Sequence, residues 1–306
     1  MVDVRLFLEA IVLKILVWGA GGNGKVYRKY IEEYTEDAFV AFVDNAYPCY
    51  GDASPADINK YEFDKLVVSN QYKKDRQEIK EQIKKLSLDE SKIVFLFEDE
   101  QLKTEVFSKI SRIDEKDMRV VWLASFAQFV KHMSLGGNVA ECGVNRGEFA
   151  FYINKFFNDR KLYLMDTFQG FSEKDVKVER EIGDDGFLNG KFNNDEAFNA
   201  TSVDIVKKRL TYLSQCEFCI GYFPDSAGEI NDNFCFVNLD TDLYQPILAG
   251  LEFFYPKMVE NGIILVHDYF NPELPGVKKA IIDYETKYGK LHKFPIADYC
   301  SLAIVK

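Results

Sequence analysis

The chain has 306 residues, of which 47% are hydrophobic and 28% charged, and its formal net charge is −11 at pH 7. This length accommodates one large or two ordinary domains, and the hydrophobic content is sufficient to fill their cores. The acidic balance, together with the lack of any basic run in the sequence, argues against nucleic-acid binding. No apolar run approaches the ~18 residues of a membrane-spanning helix, so no membrane partner is expected.

The cysteines and the first residues indicate the compartment. Six cysteines are scattered through strand-like segments, and residues 1–14 carry charges instead of a secretory signal pattern. Free core thiols are typical of a reducing compartment, so we expect a cytoplasmic protein. Cys216 and Cys219 have the spacing of a metal or redox pair. Because they lie in one strand-like run without a second pair, we interpret them as core thiols.

The first part of the chain alternates between strand-like and helix-like segments. An apolar run leads into Gly19-Ala-Gly21-Gly-Asn-Gly24, and helical spacing follows. A G-x-G-x-x-G pattern between a strand and a helix is the context of the dinucleotide fingerprint. The second strand ends at Asp44, where an acid could bind ribose hydroxyls. Residues 1–98 are therefore predicted to form a small Rossmann-like α/β domain.

Two interpretations of this first glycine turn stay open. The glycines and Asp44 could bind a nucleotide or a nucleotide sugar, or the turn could need its glycines for packing alone. The domain is short for a full dinucleotide-binding domain, and its sequence presents no evident catalytic group. Its GAGG-x-GK and F-V-D segments resemble N-terminal domains attached to sugar-modifying enzymes. A charged segment at 99–119 is predicted to be a helical connector to a second domain at 120–306.

The central segment of the second domain is Val139–Ala150. An apolar run containing Glu141 leads through Gly143 to Gly147, where a helical pattern begins. A strand, a tight glycine turn and a helix form the corner at which an α/β sheet usually binds its ligand. The unpaired N–H groups at the start of that helix could bind a polar or anionic group. The next strand ends at Asp166, whose carboxylate could accept hydrogen bonds from ribose hydroxyls.

A polar segment rich in glycine and asparagine lies between residues 171 and 201. A plain surface loop is one interpretation. Because loops of this length are uncommon inside compact domains unless they are functional, a mobile lid over an active site is the interpretation we favour.

Charged side chains follow two strands near the end of the chain. Asp240 follows one buried strand, and His267 and Asp268 follow the next. The carboxyl ends of neighbouring parallel strands meet at one edge of a sheet, so these side chains are expected to converge. Clustered carboxylates repel each other unless a cation lies between them, and oxygen ligands suit Mg²⁺, Mn²⁺ or Ca²⁺. We predict a metal site here; helix capping by the two acids is the alternative.

Five motifs in one order carry a resemblance to a known family. They are Ala140-Glu-Cys-Gly-Val-Asn-Arg-Gly147, Asp166-Thr-Phe-Gln-Gly-Phe171, Gly221-Tyr-Phe-Pro-Asp225, Asp240-Thr-Asp-Leu-Tyr244 and His267-Asp-Tyr269. Together they resemble the macrocin O-methyltransferase family, whose members use S-adenosylmethionine (SAM) to methylate sugar hydroxyls on antibiotics and glycans. The resemblance implies a class I SAM-methyltransferase fold for the second domain: an α/β Rossmann-like sheet with flanking helices, preceded here by the smaller Rossmann-like α/β domain.

The resemblance also implies a SAM site. The glycine turn would hold the methionine part of SAM, and Asp166 would accept hydrogen bonds from its ribose hydroxyls. The cofactor-binding residues implied by the family motifs are Glu141, Gly143, Gly147, Asp166 and Asp225.

A metal site is the second implication of the resemblance. Family members bind Mg²⁺ through the residue at Asp240 and through a pair on the next strand, commonly two acids. Here that pair is His267 and Asp268, and a nitrogen ligand would favour Mn²⁺ or a later metal. The metal would lower the pKa of a sugar hydroxyl, and Asp240 or His267 would take its proton. The alkoxide would then attack the methyl group in line.

Two other functions stay open. An NAD-dependent sugar oxidoreductase could use the first glycine turn, but no Tyr-x-x-x-Lys pair follows that domain. A non-catalytic scaffold could bind a nucleotide sugar, although the intact second glycine turn and its acids argue against lost activity. The expected partner is a sugar-containing small molecule or a glycan, and a homodimer is the expected assembly.

Overall fold

A computed structural model describes residues 12–183, 201–228 and 230–306. By its contacts the chain forms two compact units, Met1–Ile110 and Ser111–Lys306. Within the described ranges, no helix is long and apolar enough to cross a membrane.

The first unit is a four-stranded parallel sheet with helices. Its elements are β1 (Lys14–Trp18), α1 (Gly22–Tyr34), β2 (Ala38–Val43), β3 (Lys65–Val68), α2 (Lys73–Lys85), β4 (Ile93–Phe95) and α3 (Glu100–Lys109). The strand order is β2-β1-β3-β4, and every pair is parallel. Four consecutive apolar residues of β1 are buried, as expected for a central strand covered on both faces.

The boundary between the units lies inside the segment expected to be a connector. Helix α3, at the start of that segment, belongs to the first unit. Its residues Val106 and Phe107 are buried, and the Phe107 ring lies 5.6 Å from that of Phe97. Charged residues are frequent in α3, and even Lys103 is buried, so the sequence looks like a polar linker.

The second unit is a seven-stranded mixed sheet with helices. Its elements are α4 (Met118–His132), β5 (Asn138–Cys142), α5 (Glu148–Phe156), β6 (Leu162–Asp166), α6 (Glu173–Ile182), α7 (Val203–Arg209), β7 (Cys216–Ile220), β8 (Phe234–Leu239), α8 (Tyr244–Phe254), β9 (Met258–Val266), α9 (Pro275–Tyr288), β10 (His292–Pro295) and β11 (Leu302–Val305). The strand order is β10-β11-β9-β8-β5-β6-β7. Strands β5 to β9 pair in parallel, and β11 is antiparallel to both β9 and β10. The α/β fold class predicted for this part of the chain is confirmed.

Strand order brings three strand ends together. Strand β8 lies between β5 and β9 and is buried at all six positions. Beyond its end, Asp240 N donates to Cys142 O at 2.8 Å, and His267 N donates to Leu239 O at 2.9 Å. The loops after β5, β8 and β9 are therefore joined by backbone hydrogen bonds at one edge of the sheet.

The segment favoured as a lid contains a helix. Residues 173–182 form α6, and residues 184–200 lie outside the described part of the chain. Ser172 caps the helix by accepting a hydrogen bond from Asp175 N. The two buried positions of α6 are the acids Asp175 and Glu179, whereas its apolar residues are only partly buried. The pair Cys216 and Cys219 lies on β7 as free thiols.

Candidate active site

A cavity of about 540 Å³ opens at the carboxyl edge of the second sheet. The glycine turn after β5 and the acid at the end of β6 line one part of it. The acidic residues after β8 and β9 line another. The residues predicted for cofactor binding and for metal binding therefore share one cavity, with the exceptions of Gly147 and Asp225.

Two glycines of the second turn are required by geometry. Gly143 and Gly147 have φ angles of 89° and 71°, in the left-handed region that favours glycine. A Cβ atom at Gly143 would lie 2.0 Å from Asp240 O, and one at Gly147 would lie 2.9 Å from Val206 Cγ1. The turn thus packs directly against the loop that carries Asp240, the first acid of the predicted metal site.

Glu141 is buried beneath this turn, with 1% of its surface exposed. Asn238 Nδ2 donates to its Oε1 at 2.9 Å, whereas Oε2 meets no hydrogen-bond partner among the described residues. Burial and the nearby charge of Asp240 raise the pKa of Glu141 well above its usual value. An unsatisfied buried oxygen costs about 1–3 kcal/mol, so a ligand donor reaching Oε2 from the cavity would be stabilised.

Asp166 closes the turn from the neighbouring strand. Its Oδ2 accepts from Asn145 N at 2.8 Å, and its Oδ1 accepts from Phe168 N at 2.7 Å. A carboxylate oxygen can accept more than one hydrogen bond, so each oxygen keeps capacity for a ligand hydroxyl. The two backbone donors fix the orientation of the carboxylate in advance.

Three acids meet at the ends of β8 and β9. Asp240, Asp242 and Asp268 each present a carboxylate oxygen, and these oxygens lie within 4.8 Å of one another. Opposite ligands of Mg²⁺ are separated by about 4.2 Å, since each bond is about 2.1 Å long. All three oxygens thus lie close enough together to be candidate ligands of one Mg²⁺ or Mn²⁺ ion. Asp242 was not among the predicted ligands, although it lies in the D-x-D segment that suggested Asp240.

Two cationic groups neutralise part of this acid cluster. Arg119 Nη1, at the start of α4, donates to Asp240 Oδ2 at 2.7 Å. His267 Nδ1 lies 3.0 Å from Asp240 Oδ1 and 2.7 Å from Asp268 Oδ2. Burial alone would raise the pKa of Asp240, but His267 and Arg119 outweigh it and hold that pKa well below its usual range.

The second acid of the motif behaves in the opposite way. Burial, together with the charges of Asp240 and Asp268, raises the pKa of Asp242 well above its usual value. Asp242 and Asp268 have positive φ angles of 62° and 60°. The backbone is thus held in the sparsely populated left-handed region at both loops that deliver acids to the cavity.

Glu179 of α6 connects the helices that follow the two acid loops. It is 2% exposed; Oε2 accepts from Tyr244 N at 2.9 Å, and Oε1 accepts from Gly276 N at 3.0 Å. These N–H groups lie at the starts of α8 and α9, where a negative charge is favourable. Glu179 therefore caps both helices, a role that the polar sequence around it did not indicate.

The structure does not bring Asp225 to the cavity. It is exposed and begins the short 3₁₀ helix Asp225–Ala227. From the same motif, Gly221, Tyr222 and Phe223 line the cavity, and Tyr222 donates its hydroxyl to Asp175 Oδ1 at 2.8 Å. This segment reaches the cavity through its aromatic residues.

The residues predicted to bind a nucleotide lie in the first unit. Asp44 Oδ2 accepts from Ala20 N, and Asp44 Oδ1 accepts from Ala46 N, both at 2.8 Å. A Cβ atom at Gly24 would lie 1.9 Å from Gly19 O, so packing of the turn explains this glycine. At Gly21 an added Cβ would meet nothing within 4 Å.

Comparison with known proteins gives matches to both units. Residues 11–94 match the family model "C2185-like, N-terminal", and residues 113–298 match "Macrocin-O-methyltransferase (TylF)". The chain is 25% identical over 165 residues to demethyldecarbamoylnovobiocin O-methyltransferase of Streptomyces niveus, covering 50% of this chain and 59% of that protein.

Two further relatives give similar matches. The 8-demethyl-8-(2,3-dimethoxy-alpha-L-rhamnosyl)-tetracenomycin-C 4'-O-methyltransferase of Streptomyces olivaceus is 25% identical over 160 residues, covering 50% of this chain and 59% of that protein. Mycinamicin III 3''-O-methyltransferase of Micromonospora griseorubida is 26% identical over 167 residues, covering 50% and 62%. The chain thus spans less than two thirds of the length of these relatives.

The family match at 113–298 extends over more than half of the chain and contains all five motifs on which the sequence resemblance rested. That resemblance is confirmed: the chain belongs to the macrocin O-methyltransferase (TylF) family.

Proposed function

We propose that this protein is a SAM-dependent O-methyltransferase that transfers a methyl group to a sugar hydroxyl. Family membership supports the reaction, and the relatives named above, one with a rhamnosyl group in its name, support the acceptor class. The observation that carries the proposal is the shared cavity. It joins a glycine turn with hydrogen-bonding carboxylates to a cluster of three acids.

The donor half of the cavity fits SAM. The unpartnered Oε2 of Glu141 would accept from the charged amino group of the methionine part. The fixed carboxylate of Asp166 would accept from the ribose hydroxyls. The first N–H groups of α5, which follow Gly147, are available to polar groups of the cofactor.

The acceptor half fits a divalent cation held by Asp240, Asp242 and Asp268. Such a cation supplies Lewis-acid polarisation, which lowers the pKa of a bound hydroxyl. Arg119 holds Oδ2 of Asp240, which fixes how this carboxylate meets the cavity. Asp240 and, in its neutral form, His267 are the proposed proton acceptors, because they line the cavity beside the site where the hydroxyl would lie.

Calorimetric titration of SAM, with and without Mg²⁺, tests the donor site. We expect micromolar binding that is lost in Asp166→Ala, because the ribose hydroxyls lose their acceptor. Asp225→Ala is the matched control: it removes an exposed carboxylate outside the cavity and should leave the affinity unchanged. If the unaltered protein does not bind SAM, the methyltransferase proposal fails. NAD and nucleotide sugars would then be titrated to test the oxidoreductase and scaffold alternatives.

A panel of acceptors tests the sugar part of the proposal. Glycans, nucleotide sugars and natural-product glycosides are incubated with SAM and Mg²⁺ or Mn²⁺, and methyl transfer is measured by mass spectrometry. We expect a sugar hydroxyl to be methylated. Turnover of a phenol while every sugar acceptor stays unmethylated would contradict this assignment.

Nucleotide binding by the first unit, through Gly19, Gly21, Gly24 and Asp44, stays a prediction. Packing explains Gly24, but the open space at Gly21 leaves that glycine free for close approach of a ligand. Titration of a nucleotide sugar into the protein and into Gly21→Val tests it. Homodimer formation also stays a prediction, which sedimentation velocity would test.

A further inference from the structure

A second set of metal-ligating atoms lies beside the three acids. His267, Asp268 and Cys300 each present one ligand atom, and these atoms lie within 4.8 Å of one another. Cys300 Sγ is 3.4 Å from Asp268 Oδ1, and His267 Nδ1 is 2.7 Å from Asp268 Oδ2. Asp268 belongs to both sets, and all three residues line the cavity.

The register of the sheet explains why Cys300 lies beside Asp268. Strand β11 is antiparallel to β9, with Leu302 opposite Val266. Continuing this register past the end of β9 brings Cys300 opposite Asp268. Phe270 N donates to Cys300 O at 3.1 Å, and Cys300 N donates to Asp298 Oδ1 at 3.0 Å. The thiol is therefore held against the acid loop by backbone contacts.

The donor atoms of this set differ from those that Mg²⁺ prefers. Thiolate and imidazole ligands select zinc and other late divalent metals, whereas carboxylates alone suit Mg²⁺. In a tetrahedral zinc site with Zn–S near 2.3 Å and Zn–O near 2.0 Å, the sulfur and oxygen ligands lie about 3.5 Å apart. The 3.4 Å between Cys300 Sγ and Asp268 Oδ1, where the thiol donates a hydrogen bond, is close to that separation. The 2.7 Å between His267 Nδ1 and Asp268 Oδ2 is a hydrogen-bond distance and would lengthen to about 3.3 Å if both atoms bound the ion.

We propose that His267, Asp268 and Cys300 form a site for a thiophilic divalent cation, Zn²⁺ or Co²⁺, that shares Asp268 with the oxygen site of Asp240 and Asp242. Three protein ligands leave the fourth tetrahedral position open towards the cavity. Because Asp268 contributes to both sets, ions in the two sets compete for its carboxylate. The site depends on metal binding alone and stands whether or not the protein transfers methyl groups.

Titration with Co²⁺ tests this site by absorption spectroscopy. We expect a thiolate-to-Co²⁺ charge-transfer band in the near ultraviolet that saturates at one ion per chain and disappears when Zn²⁺ is added. Cys300→Ser should abolish the band and weaken Zn²⁺ binding, measured by competition with a chelating dye, at least tenfold. Removal of a residue that only donates a hydrogen bond to a metal ligand, or accepts one from it, already lowers metal affinity about 10–100-fold.

Two controls separate this set from other sites on the chain. Cys49→Ser removes an exposed thiol of the first unit and should leave the band unchanged. Asp242→Asn changes only the oxygen set and should retain the band while Mn²⁺ binding weakens. Co²⁺ binding without a thiolate band, or a band that persists in a folded Cys300→Ser variant, would overturn the proposal. SAM calorimetry is independent of these readouts, so failure of one proposal is distinguishable from failure of the other.

Discussion

The glycine turn after β1 and the glycine turn after β5 are closed in the same way. In each, an aspartate at the end of the neighbouring strand accepts two backbone hydrogen bonds. Asp44 accepts from Ala20 N and Ala46 N, and Asp166 accepts from Asn145 N and Phe168 N. Judged by glycine pattern and acid alone, both turns would be assigned a nucleoside ligand.

The difference lies in what each turn packs against. A Cβ atom at Gly24 would meet Gly19 O of its own turn, whereas one at Gly143 would meet Asp240 O of the loop after β8. Beside the first turn, β3 delivers Ser69, whose hydroxyl donates to Gly19 O at 3.0 Å. A glycine pattern thus indicates where the chain turns, whereas the residues that follow the adjacent strand determine which ligand groups the turn faces.

Substitution of the two close-packed glycines, Gly143 and Gly24, tests this comparison. It has the largest expected effect. Gly143→Ala should lower the free energy of unfolding of the second unit by about 2–4 kcal/mol, because of positive φ and the clash with Asp240 O. It should also weaken SAM binding at least tenfold. Gly24→Ala should destabilise the first unit and leave SAM binding unchanged.

Chemical denaturation and calorimetry measure these effects. The chain has two tryptophans, Trp18 in the first unit and Trp122 in the second, so tryptophan fluorescence reports the second unit in Trp18→Phe and the first unit in Trp122→Phe. Gly136→Ala is the control, since its Cβ would meet nothing within 4 Å. Unchanged SAM affinity in Gly143→Ala would show that the two turns are equivalent after all.

Substitution of Glu179 tests whether its carboxylate stabilises α8 and α9, the helices that follow the two acid loops. The expected effect is intermediate in size. Glu179→Ala removes the acceptor for the first N–H groups of α8 and α9, and each lost cap costs about 0.5–2 kcal/mol. We expect a lower unfolding free energy and weaker Mn²⁺ binding, because the acid loops precede these helices. Glu179→Gln, which keeps one acceptor oxygen, should have a smaller effect. Glu181→Ala, on the exposed side of α6, should have the unfolding free energy and the Mn²⁺ affinity of the unaltered protein. If Glu181→Ala lowered them as much as Glu179→Ala does, the capping role would be refuted.

Removal of Asp44 has the smallest expected effect. Asp44→Ala leaves Ala20 N and Ala46 N to water and should cost the first unit about 0.5–2 kcal/mol, measured by Trp18 fluorescence in the Trp122→Phe background. SAM affinity should not change, in contrast to Asp166→Ala. Reduced SAM affinity in Asp44→Ala would mean that the first turn contributes to donor binding.

The features that could be predicted from the sequence are those that depend on residues close together along the chain. Strand ends, glycine turns and the acids that follow strands are local patterns, and Asp166, Asp240 and Asp268 all line the predicted site. Arg119 was missed because it meets Asp240 across 121 residues of chain. Glu179 was missed because its buried position looks polar in sequence.

Cys300 shows the same limit in another form. It faces Asp268 because of the antiparallel register of β9 and β11, and single residues of a sequence do not reveal register. Asp225 shows the opposite case: the family motif implied a ligand role, whereas the structure leaves its side chain exposed outside the cavity, so this role stays a prediction.

The division of the cavity among strands has a consequence for protein engineering. Glu141 and Asp166 come from β5 and β6, whereas His267 follows β9 and Cys300 precedes β11. Under the two proposals above, replacing His267 by aspartate and Cys300 by serine would alter the preferred metal without touching a donor-site residue. The choice of ion and the choice of methyl donor would then be separately exchangeable parts of one scaffold.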